Sequence, residues 1–246
     1  MSEALLEVKD LVVHHGQLKA VDEVSFSLHV GEVLAMIGAN GAGKSTLLGT
    51  IAGLHRQTSG SLHFDGVDIS NVAPHRRVSM GVSLVPEGRR LFSSMTLQEN
   101  LQVGAFHARK GPFNIERIYE LFDWMPSRRR QRVWQLSGGE QQAVAIGRAL
   151  VANPKLLLLD ELSLGLAPIV IERIYGLVPE IVAQGVSILV VEQDVSQGLA
   201  VADRVHCLLE GKTSLTGVPA DFTPEQVERA YFGAGLAAAT SHEGES

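Results

Sequence analysis

The stretch VLAMIGANGAGKST, residues 33–46, decides the fold. An apolar run, VLAMI, leads into GANGAGKS at residues 38–45, which satisfies the pattern G-x-x-x-x-G-K-[ST] between a strand and a helix. Glycines in such a loop let backbone N–H groups surround phosphate oxygens, and the positive end of the helix dipole adds to the attraction. The alternative is a glycine-rich turn with a chance lysine, and the strand–loop–helix context argues against it.

The pattern gives each residue of this loop a predicted role in binding a nucleotide. Lys44 is expected to reach the β- and γ-phosphates, and Ser45 is expected to offer its hydroxyl to Mg²⁺. The predicted nucleotide-binding residues of the loop are Gly38, Ala39, Asn40, Gly41, Ala42, Gly43, Lys44, Ser45 and Thr46.

Further apolar runs place this loop in a parallel sheet. VSLV (82–85), LLLL (156–159) and SILVV (187–191) are nearly continuous Val, Ile and Leu, as expected of strands covered on both faces. The N-terminal runs LLEVKDLVVHH and VDEVSFSLHV alternate apolar and polar residues, which is typical of antiparallel strands with one buried face. The predicted fold class is α/β, a P-loop NTPase with a parallel-sheet core and N-terminal antiparallel strands.

Residues 89–150 interrupt this alternation. They are helix-like without a strand signal, which predicts an inserted helical subdomain and leaves 5–88 and 151–233 as the core. Pro179 falls inside a later helix-like stretch and must bend or break it. Residues 234–246 are small and polar, and we expect a frayed tail.

Composition restricts the class of partner. The 246 residues carry a formal net charge of −6, so no global basic field recruits nucleic acid, and the short run RRRQR (128–132) is expected to be a solvated surface. Cys207 is the single cysteine, which excludes a disulfide within the chain. The start lacks the features of a signal peptide, and no apolar run approaches about 18 residues. Any link to a membrane is therefore expected to run through a partner.

A pair of acidic residues follows the run of leucines in LLLLDE. A strand that ends in a carboxylate can deliver Asp160 to a Mg²⁺ ion beside the phosphates, and Glu161 can act as general base on the attacking water. The pair alone is weak evidence, because strand ends often carry acids. Together with the phosphate loop it predicts a nucleotide hydrolase.

The stretch LSGGEQQAVAIGRAL, 136–150, opens a second helix on a glycine turn. Its N-terminus is a further anion site, with Ser137, Gly138, Gly139 and Glu140 as predicted nucleotide-binding residues. The chain thus has two helix N-termini that are predicted to bind phosphate but only one pair of acidic residues at a strand end. Two copies that face each other and share nucleotides would explain this, and the alternative is a capped helix with no further role.

On these motifs the sequence resembles the ATP-binding cassette (ABC) family over about residues 5–233. The resemblance implies a RecA-like core with a helical subdomain, and contact between LSGGE and ATP across a dimer interface. His15, in VVHHGQ, matches the position where the family usually stacks an aromatic ring on adenine. The alternative for His15 is a histidine on the surface of a strand.

A narrower resemblance rests on LVPEGRRLF, SLGLAP, VVEQD and ERAYFG. These stretches are similar to one ATPase type of branched-chain amino-acid importers, which shares Glu87 where most cassettes have Gln and Gln193 where most have His. The resemblance implies catalytic roles for both residues near the γ-phosphate. A neutral Gln193 can still donate and accept hydrogen bonds, and the alternative is a polar residue at a strand end.

Two residues depart from that group. Leu162 stands where the group has proline after Glu161, which removes a constraint on the turn. Trp134 stands where the group tends to have small residues, and we expect its ring to pack on the helical subdomain.

The resemblance implies a Mg²⁺-dependent ATPase on the cytoplasmic face of the membrane, docked to permease subunits near Arg89 and Arg90. A second ABC ATPase is the expected partner, with a heteromer favoured over a homodimer, and a substrate-binding protein takes part indirectly. One rival is a soluble ABC ATPase acting on ribosomes or DNA, although neither fused cassettes nor long coiled-coil arms are present. Another is a nucleotide-binding subunit with little turnover. The sequence does not identify the transported substrate, since the cassette never touches it.

Overall fold

The computed structural model describes residues 4–233, which form two compact units. The first unit consists of 4–72 and 189–233, and the second of 73–188. The predicted tail, 234–246, lies outside the described residues. The predicted limits of the helical subdomain and of the core remain predictions.

Ten strands and ten α-helices are present in residues 4–233. The strands are β1 Ala4–His15, β2 Leu18–His29, β3 Val33–Ile37, β4 Ser59–Phe64, β5 Val67–Asp68, β6 Val82–Val85, β7 Leu156–Asp160, β8 Ser187–Glu192, β9 Arg204–Leu209 and β10 Lys212–Gly217. The helices are α1 Lys44–Ala52, α2 Pro74–Met80, α3 Leu97–Gly104, α4 Ile115–Leu121, α5 Met125–Arg128, α6 Gly138–Val151, α7 Pro168–Tyr175, α8 Val178–Ala183, α9 Val195–Val201 and α10 Pro224–Phe232. Short 3₁₀ helices span Ala105–His107, Val133–Gln135 and Pro219–Asp221.

The first unit holds two sets of strands. An antiparallel sheet has the order β2-β1-β4-β5, and the antiparallel pairing of β1 with β2 confirms the predicted antiparallel N-terminal strands. The other set has the order β10-β9-β3-β8, in which β3 runs parallel to β9 and β10 runs antiparallel to it. All five residues of β3 are buried, as a strand covered on both faces requires.

The second unit contains the parallel pair β6 and β7 and the helices α2 to α8. The first two residues of β8, Ser187 and Ile188, belong to this unit, where the Ser187 amide donates to the Lys155 carbonyl at 2.9 Å. The predicted break at Pro179 is confirmed, because α7 ends at Tyr175 and α8 begins at Val178. Pro179 is the second residue of α8, where its missing N–H costs no helical hydrogen bond.

The predicted α/β class with parallel strands is confirmed. Strand β10 was not expected, because its residues KTSLTG are mostly polar and it lies at the end of the strand order. Within residues 4–233, no helix has the length and apolar character needed to cross a membrane.

Candidate active site

The predicted phosphate loop lies between β3 and α1 in the first unit. Parallel pairing of Ile37 with Cys207 fixes the point where the chain leaves the strand. At Gly43 the backbone has φ +96°, and a Cβ atom there would lie 2.2 Å from the carbonyl oxygen of Ala20. Glycine is therefore required at this position, and the loop packs closely against β2.

The N-terminus of α1 suits an anion. Its N-cap, Gly43, makes no side-chain hydrogen bond to the first amides, and its first turn holds no acidic residue. Lys44 is only 3% exposed, and its Nζ donates to the carbonyl oxygens of Gly38 at 2.8 Å and Ala39 at 3.1 Å. The loop thus places a buried cation beside an N-terminus without a side-chain cap, while Asn40, Gly41 and Ser45 are exposed. This combination fits a polyphosphate.

His15 lies at the end of β1 and is exposed. Its Nε2 lies 3.2 Å from the Thr46 hydroxyl, so the structure brings the ring to the helix that follows the phosphate loop. The ring also meets His55 edge to face, with centroids 5.0 Å apart. Burial and the neighbouring His15 lower the pKa of His55, which favours its neutral form. The stacking of His15 on adenine stays a prediction.

Parallel pairing brings three predicted carboxylates to one edge of the second unit. Val85 of β6 is paired with Leu159 of β7. Glu87 therefore leaves the sheet at the same edge as Asp160 and Glu161, on strands about 4.8 Å apart. Asp160 is the last residue of β7 and is 7% exposed, whereas Glu87 is exposed.

The turn after β7 is strained at Glu161. This residue has φ +47°, a left-handed conformation that costs a non-glycine residue about 1–2 kcal/mol. Leu162, which replaces the group's proline, is 2% exposed. Packing of Leu162, in place of a proline ring, therefore holds the turn that presents the Glu161 carboxylate.

The loop after Glu87 is held by one arginine of α6. Gly88, Arg89 and Arg90 all have positive φ values, of +70°, +64° and +43°. Arg148 donates through Nη1 to the Arg90 carbonyl at 2.9 Å and through Nη2 to the Arg89 carbonyl at 3.1 Å. Burial lowers the pKa of Arg148. The predictions missed Arg148, because its partners lie 58 and 59 residues away in the sequence.

A buried asparagine orders the next part of the same loop. Asn100 of α3 is fully buried, its Oδ1 accepts from the Phe92 amide at 3.0 Å, and its Nδ2 donates to the carbonyls of Phe92 and Thr96. The predictions from the sequence missed Asn100. A polar residue on the buried face of a short helix is the signal that identifies it.

The LSGGE stretch forms a capping box at the start of α6. Ser137 Oγ accepts from the Glu140 amide at 3.3 Å, and Glu140 Oε2 accepts from the Ser137 amide at 2.8 Å. Arg128 adds an ion pair to Glu140 Oε1 at 2.5 Å, so this member of the basic run is not merely solvated. At Gly139 a Cβ atom would lie 2.4 Å from Val170 Cγ1, which explains why glycine is needed where α7 approaches.

The prediction that Trp134 packs on the helical subdomain is wrong. Trp134 is 61% exposed and belongs to the 3₁₀ helix Val133–Gln135. Residues three apart eclipse each other in such a helix, and the two apolar residues on the inner side are Val133 and Leu136, which are 2% and 5% exposed. The indole between them therefore points away from the core.

Gln193 follows β8 in the first unit, where β8 neighbours β3 in the strand order. It is half-buried and precedes Asp194, the N-cap of α9. Gln193 also lines a cavity of about 590 Å³ between α9 and α10.

The predicted site residues fall into three groups. The phosphate loop, His15 and Gln193 belong to the first unit, whereas the acidic edge and the LSGGE stretch belong to the second. Within the second unit, Arg89 connects the loop after Glu87 at the acidic edge with the helix that carries the LSGGE stretch, because its Nη1 donates to Gln141 of α6 at 3.2 Å. Among the described residues, no three or more His, Cys, Asp or Glu side chains form a group that could hold a metal ion.

Comparison with known proteins identifies the family. The ABC transporter family model matches residues 21–163, more than half of the chain. The chain belongs to the ABC transporter family. Membership assigns nucleotide binding and ATP hydrolysis in transport to this ABC cassette, and it confirms the resemblance inferred from the motifs.

The relatives of this ABC cassette include ATP-binding proteins of importers and exporters. It is 41% identical over 93% of its length to the whole of the high-affinity branched-chain amino acid transport ATP-binding protein BraG of Pseudomonas aeruginosa. It is 34% identical over 94% of its length to 98% of the lipopolysaccharide export system ATP-binding protein LptB of Haemophilus influenzae. A nucleotide-free ATP-binding cassette from an ABC transporter superposes with a TM-score of 0.80 at 27% identity, over 93% of this chain and 95% of that chain.

Proposed function

We propose that this ABC cassette hydrolyses ATP to drive an importer of branched-chain or related amino acids. The observation that carries the proposal is the phosphate loop, in which the buried Lys44 ammonium lies beside an α1 N-terminus without a side-chain cap. The choice of substrate class rests on the BraG relative, which is named as a branched-chain amino acid transport ATP-binding protein.

In this proposal the residues of the phosphate loop bind and orient the triphosphate. Lys44 exchanges its contacts with the Gly38 and Ala39 carbonyls for the β- and γ-phosphates. His15 stacks on the adenine, with Thr46 fixing its ring. The residues whose backbone surrounds the phosphates are Gly38, Ala39, Asn40, Gly41, Ala42 and Gly43.

The carboxylates at the β6–β7 edge supply the acid–base chemistry. Glu161 takes a proton from water as the water oxygen bonds to the γ-phosphorus and the bond to the ADP oxygen breaks. Ser45 and Asp160 would hold Mg²⁺, which when bound neutralises charge on the phosphates. Glu87 and Gln193 orient the water or the γ-phosphate through their side-chain oxygens, and Gln193 also through its amide N–H.

The LSGGE stretch acts on the nucleotide of a facing cassette. Ser137 and the amides of Gly138 and Gly139 meet the γ-phosphate, while Glu140 is held by the capping box and by Arg128 and so fixes Ser137. We favour a second, different ATPase as the facing chain, with a homodimer as the alternative.

The permease would dock on the cytoplasmic face at an apolar patch of the second unit. Phe92, Val103 and Phe106 are 48%, 39% and 82% exposed and line a cavity of about 480 Å³ together with Arg90 and Arg148. Exposed apolar side chains beside a cavity are typical of a protein interface. The substrate-binding protein takes part only through the permease.

Turnover by the purified transporter complex tests this function. Lys44→Ala should abolish ATP binding, and Glu161→Gln should lower turnover by a factor of about 10²–10⁴ while ATP still binds. Removal of Mg²⁺ with EDTA should stop turnover, and added Mg²⁺ should restore it. The exposed Glu172→Gln is the matched control and should turn over normally. Co-purification with ribosomes or nucleic acid, in place of permease subunits, would support the rival class.

A further inference from the structure

Trp134 presents its indole to solvent on a fixed piece of backbone. The Val133 amide donates to the Met95 carbonyl at 3.1 Å, the Leu136 amide donates to the Val133 carbonyl at 3.1 Å, and the Arg132 amide donates to Gln135 Oε1 at 3.2 Å. Val133 and Leu136 anchor the segment in the core. The orientation of Trp134 is therefore built into the fold, although the exposed indole gains little from burial.

The position of Trp134 relative to Ser137 suits a nucleotide. They are three positions apart in the chain, so their Cα atoms lie at most about 10 Å apart. In the proposed function the amides of Gly138 and Gly139, which are not part of the capping box of α6, meet the γ-phosphate, and a nucleoside triphosphate extends over a similar length from its γ-phosphate to its base. A nucleotide with its γ-phosphate at Ser137 can therefore bring its base within reach of the Trp134 ring.

The phosphate-loop side of the site offers a small aromatic ring for the base. His15 is an imidazole whose Nε2 lies 3.2 Å from the Thr46 hydroxyl and whose ring packs edge to face with His55. A purine has two faces, and stacking by one imidazole leaves the second face without an aromatic partner from His15. Indole has a larger π-face and stacks on any base.

We propose that Trp134 is a base-stacking residue that covers the purine ring of the ATP held by the facing cassette. The inference rests on the proposed function, because it requires a nucleotide shared between two cassettes. It adds to that function a residue that acts on the base, whereas Ser137 acts on phosphate.

Steady-state turnover of the purified transporter complex tests this role with four variants. Trp134→Ala and Trp134→Leu should raise KM for ATP roughly 5- to 150-fold, the range expected for loss of one stacked base, with kcat little changed. Trp134→Phe keeps an aromatic ring and should restore most of the affinity. The matched control is Val30→Ala, because Val30 is 62% exposed in the turn after β2 and has no part in the proposed nucleotide site.

Competition by tripolyphosphate separates stacking from a general defect. This probe has the phosphates and no base, so its inhibition constant should be the same in the wild type and in every Trp134 variant. An unchanged KM for ATP in Trp134→Ala would overturn the inference and leave the proposed function intact. Equal weakening of ATP and tripolyphosphate would also overturn it. If the wild-type complex fails to hydrolyse ATP, the proposed function itself is wrong, and the inference is overturned with it.

Discussion

Gln193 shows how much chemistry one substitution can alter. Its amide can donate and accept a hydrogen bond but cannot become an imidazolium. It lies at the end of β8, beside β3, from which the phosphate loop begins. If it contacts the γ-phosphate, it provides a neutral hydrogen bond where a histidine would provide a charge-assisted one.

We therefore expect Gln193→His to raise turnover of the complex about fivefold, since a charge-assisted hydrogen bond contributes roughly 1 kcal/mol more than a neutral one. Initial rates of phosphate release at saturating ATP measure the effect. The control is Ser196→His, which places an imidazole at the second residue of α9 and should leave the rate of phosphate release unchanged. Unchanged turnover in Gln193→His, with Glu161→Gln inactive, would mean that Gln193 takes no part.

His206 is a residue whose titration should affect stability. It is 1% exposed on β9, its Nε2 lies 2.9 Å from the Thr213 hydroxyl, and its ring packs on Phe26 with centroids 5.3 Å apart. Burial, with a smaller contribution from the Arg204 charge, lowers the pKa of His206 to about 4. Below the unfolded pKa of about 6.5 the unfolded chain binds the proton and the folded chain does not, so stability falls as the pH falls towards 4.

Between pH 7.5 and pH 5, His206 should lower the free energy of unfolding by about 2 kcal/mol. Urea unfolding at both pH values measures this loss. His206→Gln should show a loss smaller by that amount, whatever its stability at pH 7.5. His75→Gln, at an exposed position of α2, is the control. Equal pH dependence in the wild type and His206→Gln would contradict the assignment.

At the scale of single elements, three α-helices in residues 4–233 begin with a capping box that involves Ser or Thr. These boxes are Thr96 with Glu99, Ser137 with Glu140, and Thr223 with Gln226. They have the same local chemistry, but only α6 carries the LSGGE stretch. A comparison of variants at these caps can therefore distinguish the effect of losing a helix cap from the effect of losing a nucleotide contact.

Ser137→Ala and Thr223→Ala should each lower the free energy of unfolding by about 1 kcal/mol, the usual cost of a lost N-cap. Chemical denaturation measures this loss. Only Ser137→Ala should also lower ATP turnover of the complex, because its hydroxyl and the amide beside it meet the nucleotide of the facing chain. If both variants, or neither, lose turnover, the cap of α6 has only a structural role.

At the scale of the whole molecule, each chain has one phosphate loop and one LSGGE stretch, and the proposed function assigns the LSGGE stretch to the nucleotide of another chain. The isolated chain should therefore bind a single ATP, which isothermal titration can count. Lys44→Ala should abolish this binding, whereas Ser137→Ala should leave the affinity of the isolated chain unchanged. Weaker binding in isolated Ser137→Ala would show that the LSGGE stretch acts within its own chain.

The parts of the site that a sequence can predict are those set by local spacing. The phosphate loop is one example, because strand, glycines and Lys44 follow one another along the chain. Asp160 and Glu161 are another, since a buried strand leads directly to them. The contacts of Arg148, the packing of Leu162 and the exposure of Trp134 depend on residues that meet only in the folded chain. The departure at Trp134 was visible in the sequence, but its orientation depended on which neighbours the 3₁₀ helix buries.

Helix α6 joins two surfaces that are usually considered separately. Its 14 residues form a rod about 21 Å long, with Ser137 at one end and Arg148 near the other. Because Arg148 holds the backbone of Arg89 and Arg90, we expect a force that the proposed permease exerts on that loop to move α6. Such a movement would also displace the amides at Ser137. The same helix, α6, would then respond to the permease at one end and contact the phosphate of the neighbouring chain's nucleotide at the other.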